Sequence, residues 1–218
     1  MAGDVDICNL ALSHLGEEAE VVAIAPPDGT SQAAQCGRFY PIARNALLEM
    51  HPWTFATTRV ALAVVDGAEL TEWAFAYAVP VKCVKVLQVL RPDALEDSRG
   101  EDYIIESAED GTKIIFTNVE SATLRYVRLV EDTTKFTPGF TNALGRLLAS
   151  YLAGPIIKGT TGVQVAQAQL KVFAIELANA KVQDSNAEQR SNYRDRRSST
   201  EIARGGPWCD WWRSGPRS

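Results

Sequence analysis

Four cysteines and two histidines are the side chains here that could hold a soft metal or pair as nucleophile and base. Cys8, Cys36, Cys83 and Cys209 stand far apart, no C-x-x-C pair occurs, and only His14 and His51 could join them. That spacing is not a metal site, and the cysteines read as small buried hydrophobes, with Cys209 in a tail. Glu49-x-His51 has the residue types of a general acid–base pair, but it falls at a helix end and reads as an exposed cap region. Glu17-Glu18 and Glu109-Asp110 flank turn signals, where adjacent carboxylates are solvated. The nucleophile elbow, the phosphate-binding loop, H-E-x-x-H and G-x-G-x-x-G are all missing. These residues predict neither an enzyme nor a cofactor.

The aromatic residues carry more. Trp53-Thr54-Phe55-Ala56 recurs as Trp73-Ala74-Phe75-Ala76, and both segments, with Tyr40, are expected to pack a junction between helices and sheet. Three of the five tryptophans, Trp208, Trp211 and Trp212, crowd into the last eleven residues beside Arg204 and Arg213, with Arg194, Arg196 and Arg197 upstream. An extended segment cannot bury three indoles against itself, and Trp and Arg are enriched at binding hot spots. These eight residues are therefore the expected interface with a partner or a neighbouring subunit.

Charge divides the chain at the same place. From Arg190 onward there are seven arginines against three acids, so with −5 overall the first 189 residues carry −9. An acidic body argues against phosphate gripping as the main task. The N-terminus has acid where a secretory signal needs base, and no long apolar run follows, so a cytoplasmic chain without a membrane span is expected.

The elements that must position these residues follow from periodicity. Ile7, Leu10, Ala11 and Leu15 mark a short helix from Asp4 to Gly16. Ala33, Cys36, Tyr40, Ala43, Leu47 and Leu48 mark a second, capped by Thr30 or Ser31, that Pro41 should bend or split. Short β-branched and aromatic runs at 59–65, 73–79, 82–90, 103–106, 113–117 and 123–130 read as antiparallel strands joined by tight turns. Thr137-Pro138 opens a third helix along Phe140, Leu144, Leu147, Leu148, Tyr151, Leu152 and Ile156. After a turn at 159–162, a fourth uses Val163, Ala166, Leu170, Phe173, Leu177 and Ala180. The expected fold is mainly α with a β insertion. Helices at 1–53 and 133–189 build a four-helix core, residues 54–132 form a small antiparallel β excursion, and 190–218 form an extended basic arm.

In this order, A-L-S-H-L-G (11–16), C-x-x-x-Y-P-x-A-R (36–44), H-P-W-x-F-A (51–56), W-x-F-A-Y-A-V-P (73–80), F-T-P-x-F (136–140) and L-A-x-Y-L-A (148–153) resemble tail tubular protein A, the head-to-tail adaptor family of short-tailed bacteriophages. The resemblance spans about residues 5 to 190. It implies a helical bundle with a β-rich insertion and a dodecameric ring between the portal protein and the tail nozzle protein. It also implies DNA passing through the lumen without sequence-specific binding, and a place in the virion neck after assembly in the host cytoplasm. Family members bind the portal through extended C-terminal segments, but the W-C-D-W-W cluster at 208–212 does not align with the family, so docking of this arm is inferred from its chemistry. A DNA-binding or packaging accessory that uses the arginine arm is the alternative.

Overall fold

The computed structural model describes residues 2–18, 20–65, 72–92, 94, 100–108 and 111–187. Four helices are described: α1 (Asp4–Ser13), α2 (Ser31–Met50), α3 (Pro138–Ile157) and α4 (Gly159–Ala187). Six strands lie between α2 and α3: β1 (Thr57–Ala61), β2 (Phe75–Ala78), β3 (Cys83–Leu90), β4 (Tyr103–Ser107), β5 (Lys113–Thr117) and β6 (Thr123–Arg128). The boundaries have local causes. Thr30 caps α2 by accepting the Ala33 N–H at 3.1 Å, and Thr137 caps α3 by accepting that of Phe140 at 3.3 Å. Asp4 and Asp6 sit in the first turn of α1, where acid complements the helix dipole.

Two expectations for the helices change. Pro41 does not split α2, which runs unbroken through it. The proline faces solvent, so its cost is one lost backbone bond on the wet side of a helix whose opposite face is buried. The turn expected at 159–162 shrinks to Lys158, at φ +60°, followed by Gly159 at φ +61°. α4 then begins at once, and Gly162 lies so close to α3 that a Cβ would stand 2.9 Å from the Ala153 carbonyl oxygen. The hairpin is tight because the chain reverses through left-handed backbone and a residue without a side chain.

All strand pairs are antiparallel, in two three-stranded sheets ordered β1-β6-β3 and β2-β5-β4. Isolated bridges Val89–Glu101 and Val64–Tyr77 tie the sheets at both margins. The order therefore runs β1-β6-β3-β4-β5-β2 and returns toward β1, like a small barrel. Tyr77, Val89, Ile115, Val119, Ala122, Leu124 and Tyr126 fill it, and the Tyr77 hydroxyl donates to the Val119 carbonyl at 2.8 Å.

The mainly α fold with a four-helix core is overturned: the architecture is α+β. α4 packs on α3 and buries only Gly162, Phe173, Ala180 and Asp184, while Val163 and Leu170 of the expected stripe are exposed. The remaining wall of the core comes from the sheet. Ala56, Val127 and Val130 are buried in the same cluster as α1, α2 and α3, and Val84, Leu87 and Leu129 pack against it. The β region is a structural half of the molecule whose β1-β6-β3 sheet closes the helical core. No described helix is long and apolar enough to cross a membrane.

Candidate interaction site

Arg194, Arg196, Arg197, Arg204, Trp208, Trp211, Trp212 and Arg213 lie outside the described residues, as do Glu109 and Asp110. Among the described residues, the candidate surface is that of α4, which ends at Ala187.

The expected packing aromatics divide. Trp53 is fully buried, donates its indole N–H to the Leu47 carbonyl at 2.9 Å, and meets Phe140 edge-on at 5.0 Å. Phe55 is half-buried and packs on Phe140 at 5.1 Å, with Phe136 4.7 Å from Phe140. The first W-x-F-A segment thus seats the α2–β1 junction on the start of α3. The second lies in the barrel, with Trp73 half-buried and Phe75 stacked on Tyr77. Tyr40 is buried with its hydroxyl unpartnered among the described residues, and desolvation pushes its pKa up.

Against this aromatic cluster, α4 makes its tightest contact. Asp184 is buried to 5% exposure in the last turn of the helix. Its carboxylate accepts the Thr54 N–H at 3.1 Å and 3.3 Å, the Thr54 hydroxyl at 2.7 Å, and pairs with His51 Nε2 at 3.3 Å. An acid is disfavoured both by burial and by the negative end of a helix dipole. The two Thr54 donors, with His51 Nε2 alongside, offset those costs and fix where the helix ends. The Glu49–His51 pair does not form, since Glu49 is exposed and His51 turns to Asp184. The chemistry available is structural: the Thr54 hydroxyl gives its proton to the carboxylate and not to the imidazole, so no base activates it. Sequence reasoning missed Asp184, 130 residues from Thr54; its only signal is an acid beside the apolar stripe of α4.

A second polar anchor lies farther up α4. Gln169 donates to the His14 carbonyl at 2.8 Å and accepts from Arg146 at 3.1 Å, which joins α4 to α1 and α3. Burial and the Arg146 charge lower the pKa of His14. Among the described residues, no group of three or more His, Cys, Asp or Glu could hold a metal ion.

With its inner face anchored, α4 leaves an outer face open. Gln164, Ala168, Lys171, Ile175, Ala178, Val182 and Ser185 are all exposed and alternate at spacings of four and three. That is the spacing of a helix seam that meets another helix, with Ile175 and Val182 more than half exposed and one charge among seven positions. No protein-family model matches the chain, and no curated protein is significantly similar to it.

Proposed function

We propose that this chain is a structural head-to-tail adaptor of a phage virion, a ring subunit between portal and tail nozzle through which DNA passes. The observation that carries the reading is the ordered set of motifs from A-L-S-H-L-G at 11–16 to L-A-x-Y-L-A at 148–153. Those motifs are largely residues of one core: Cys36, Tyr40, Trp53, Phe140, Leu148 and Leu152 are all buried. They therefore speak first to shared architecture. The open seam of α4 supports the ring half of the proposal, because head-to-tail rings need a face that another subunit can cover. The acidic body supports a lumen that does not hold DNA. The arginine and tryptophan residues after 190 are assigned to the portal or the neighbouring subunit.

The test is electron microscopy and native mass spectrometry of the full chain with and without its portal. A ring on the portal is expected, lost when residues 190–218 are removed and weakened by Ile175→Asp with Val182→Asp. Undiminished portal binding by the truncated chain would sink the docking role of the arm, and no association at all would sink the adaptor reading. Tight duplex-DNA binding that falls steeply with salt would instead favour the accessory reading.

A further inference from the structure

Besides the outer face of α4, a second apolar surface of the body lies uncovered. Where α2 passes the start of β3, a cleft of about 390 Å³ opens between them. Half-buried Ala46, Cys83, Val84 and Leu129 form its floor, and exposed Asn45 and Glu49 of α2 stand across it from Val81. Lys85 Nζ donates to the Glu49 carbonyl at 3.2 Å and ties β3 to the end of α2, while Lys82 is engaged by Glu131 at 3.3 Å. Val81 is fully exposed, and Ile42, one turn before Ala46 on the same side of α2, is more than half exposed. Grouped apolar side chains left in solvent mark a surface that a partner covers.

We propose that the outer face of α4 in one copy of the chain lies in the α2–β3 cleft of the next, a contact between unlike faces that repeats from subunit to subunit. It deepens the ring reading above and rests on it for closure of the repeat. Lys171 is the charge on the α4 seam, and Glu49 is the acid lining the cleft. Pairing them sets the direction. α2 ends at Met50, one residue after Glu49, so the rest of the seam overlaps α2 only when the two helices run antiparallel. Both helices rise about 1.5 Å per residue, so Ile175 then reaches Asn45 and Ala46 at the cleft, Ala178 reaches Ile42, and Val182 reaches the stem of Arg38. Ile175, Ala178 and Val182 stand at i, i+3 and i+7, the anchors of a helix laid into a groove. The competing arrangement pairs two α4 helices with each other. Its seam holds no acid, so Lys171 would meet Val182 or Ser185 in an antiparallel pair and another Lys171 in a parallel one, with Ile42 and Val81 left bare. Unlike faces give each of these groups a partner, and they build a ring or a filament where like faces stop at a pair.

Sedimentation velocity of the full-length chain, from about 1 μM to about 1 mM, reads the association. Val81 and Ile175 are exposed, so Val81→Asp and Ile175→Asp should keep the fold by circular dichroism, and each should weaken self-association by roughly tenfold or more. Mixed one to one, the two variants should form a dimer and nothing larger, because the mixture keeps a single intact contact: the seam of Val81→Asp in the cleft of Ile175→Asp. Lys171→Glu and Glu49→Lys should each weaken association, and both together in one chain should restore it. A wild-type chain that stays monomeric throughout, association untouched by Val81→Asp or Glu49→Lys, or a mixture that yields no dimer would overturn the proposal. Portal binding by the same preparations is a separate readout, so failure of this contact and failure of the adaptor reading are told apart.

Discussion

Replacing Asp184 by alanine tests whether the end of α4 is held by its buried carboxylate. The substitution strips the Thr54 N–H and hydroxyl of their acceptor and leaves His51 without its partner. Each part-buried donor left unpaired costs about 1–3 kcal/mol, so the two on Thr54 cost roughly 2–6 kcal/mol together. Against this, alanine is the better helix former, and an anion leaves the negative end of a helix, together returning about 1 kcal/mol. The net expectation is a loss of about 1–5 kcal/mol, or roughly 3–15 °C in melting temperature for a body of this size. Urea titration followed by circular dichroism measures it. A cycle with Thr54→Val isolates the hydroxyl, because valine removes the group that Asp184→Ala orphans. The double variant should be more stable than additivity allows by about 1 kcal/mol. A change below about 0.5 kcal/mol for Asp184→Ala, or strict additivity with Thr54→Val, refutes the clamp.

Other positions give independent checks. Phe140 is fully buried among Trp53, Phe55 and Phe136, so Phe140→Ala should cost about 3–5 kcal/mol in a denaturant melt. Gly162→Ala sets a methyl 2.9 Å from the Ala153 carbonyl oxygen, backbone that cannot swing aside, and should lower stability by about 1–3 kcal/mol despite alanine's better helix propensity. Asp28 is exposed, yet the Thr30 hydroxyl and the Val22 and Thr30 N–H groups all donate to it and hold its pKa down at about 2, below the ordinary aspartate value of 3.8. A depressed carboxylate contributes stability that is complete above the unfolded value and lost as pH falls from about 4 through 2. A carboxyl-carbon NMR titration should show a midpoint near 2 that returns toward 3.8 in Thr30→Ala; a wild-type midpoint near 3.8 removes the account.

Local signals in the chain were legible where one cause decides the outcome. Thr30 and Thr137 cap helices because a hydroxyl before a helical run has a free N–H within reach. The β runs surfaced as antiparallel strands because Gly and Pro punctuation separates period-two segments. The failures share a cause as well. Val163 and Leu170 fit the apolar period of α4, but a period shows which residues are apolar and not whether anything covers them, and both lie in solvent. Counting that stripe as core produced four helices around one centre, when the sheet supplies the missing wall through Ala56, Val127 and Val130. The Asp184–Thr54 contact and the Val64–Tyr77 and Val89–Glu101 bridges join positions with no local signature, so pattern reading had no access to them.

How α4 is held bears on what its open face can do. An apolar helix on an apolar groove can slide by one turn, about 5.4 Å, and still find side chains to touch. α4 has little apolar burial, with Phe173 and Ala180 its chief buried hydrophobes, so packing alone would set its height weakly. Its polar anchors do not tolerate such a slide. Gln169 meets both the His14 carbonyl and Arg146, and Asp184 meets both groups of Thr54; a shift of one turn would break every one of these bonds. They stand four turns apart along the helix, so they fix its rotation as well as its height. Ile175 and Val182 are consequently presented at a set position against α3, on a surface with nothing of its own to bury. Conservative loss of the upper anchor, Gln169→Leu, keeps the apolar contact and removes the register. If the seam pairs subunits, that variant should fold with a near-normal melt yet assemble with at least tenfold weaker affinity by analytical ultracentrifugation. Unchanged assembly would mean that the outer face of α4 is not where neighbours meet.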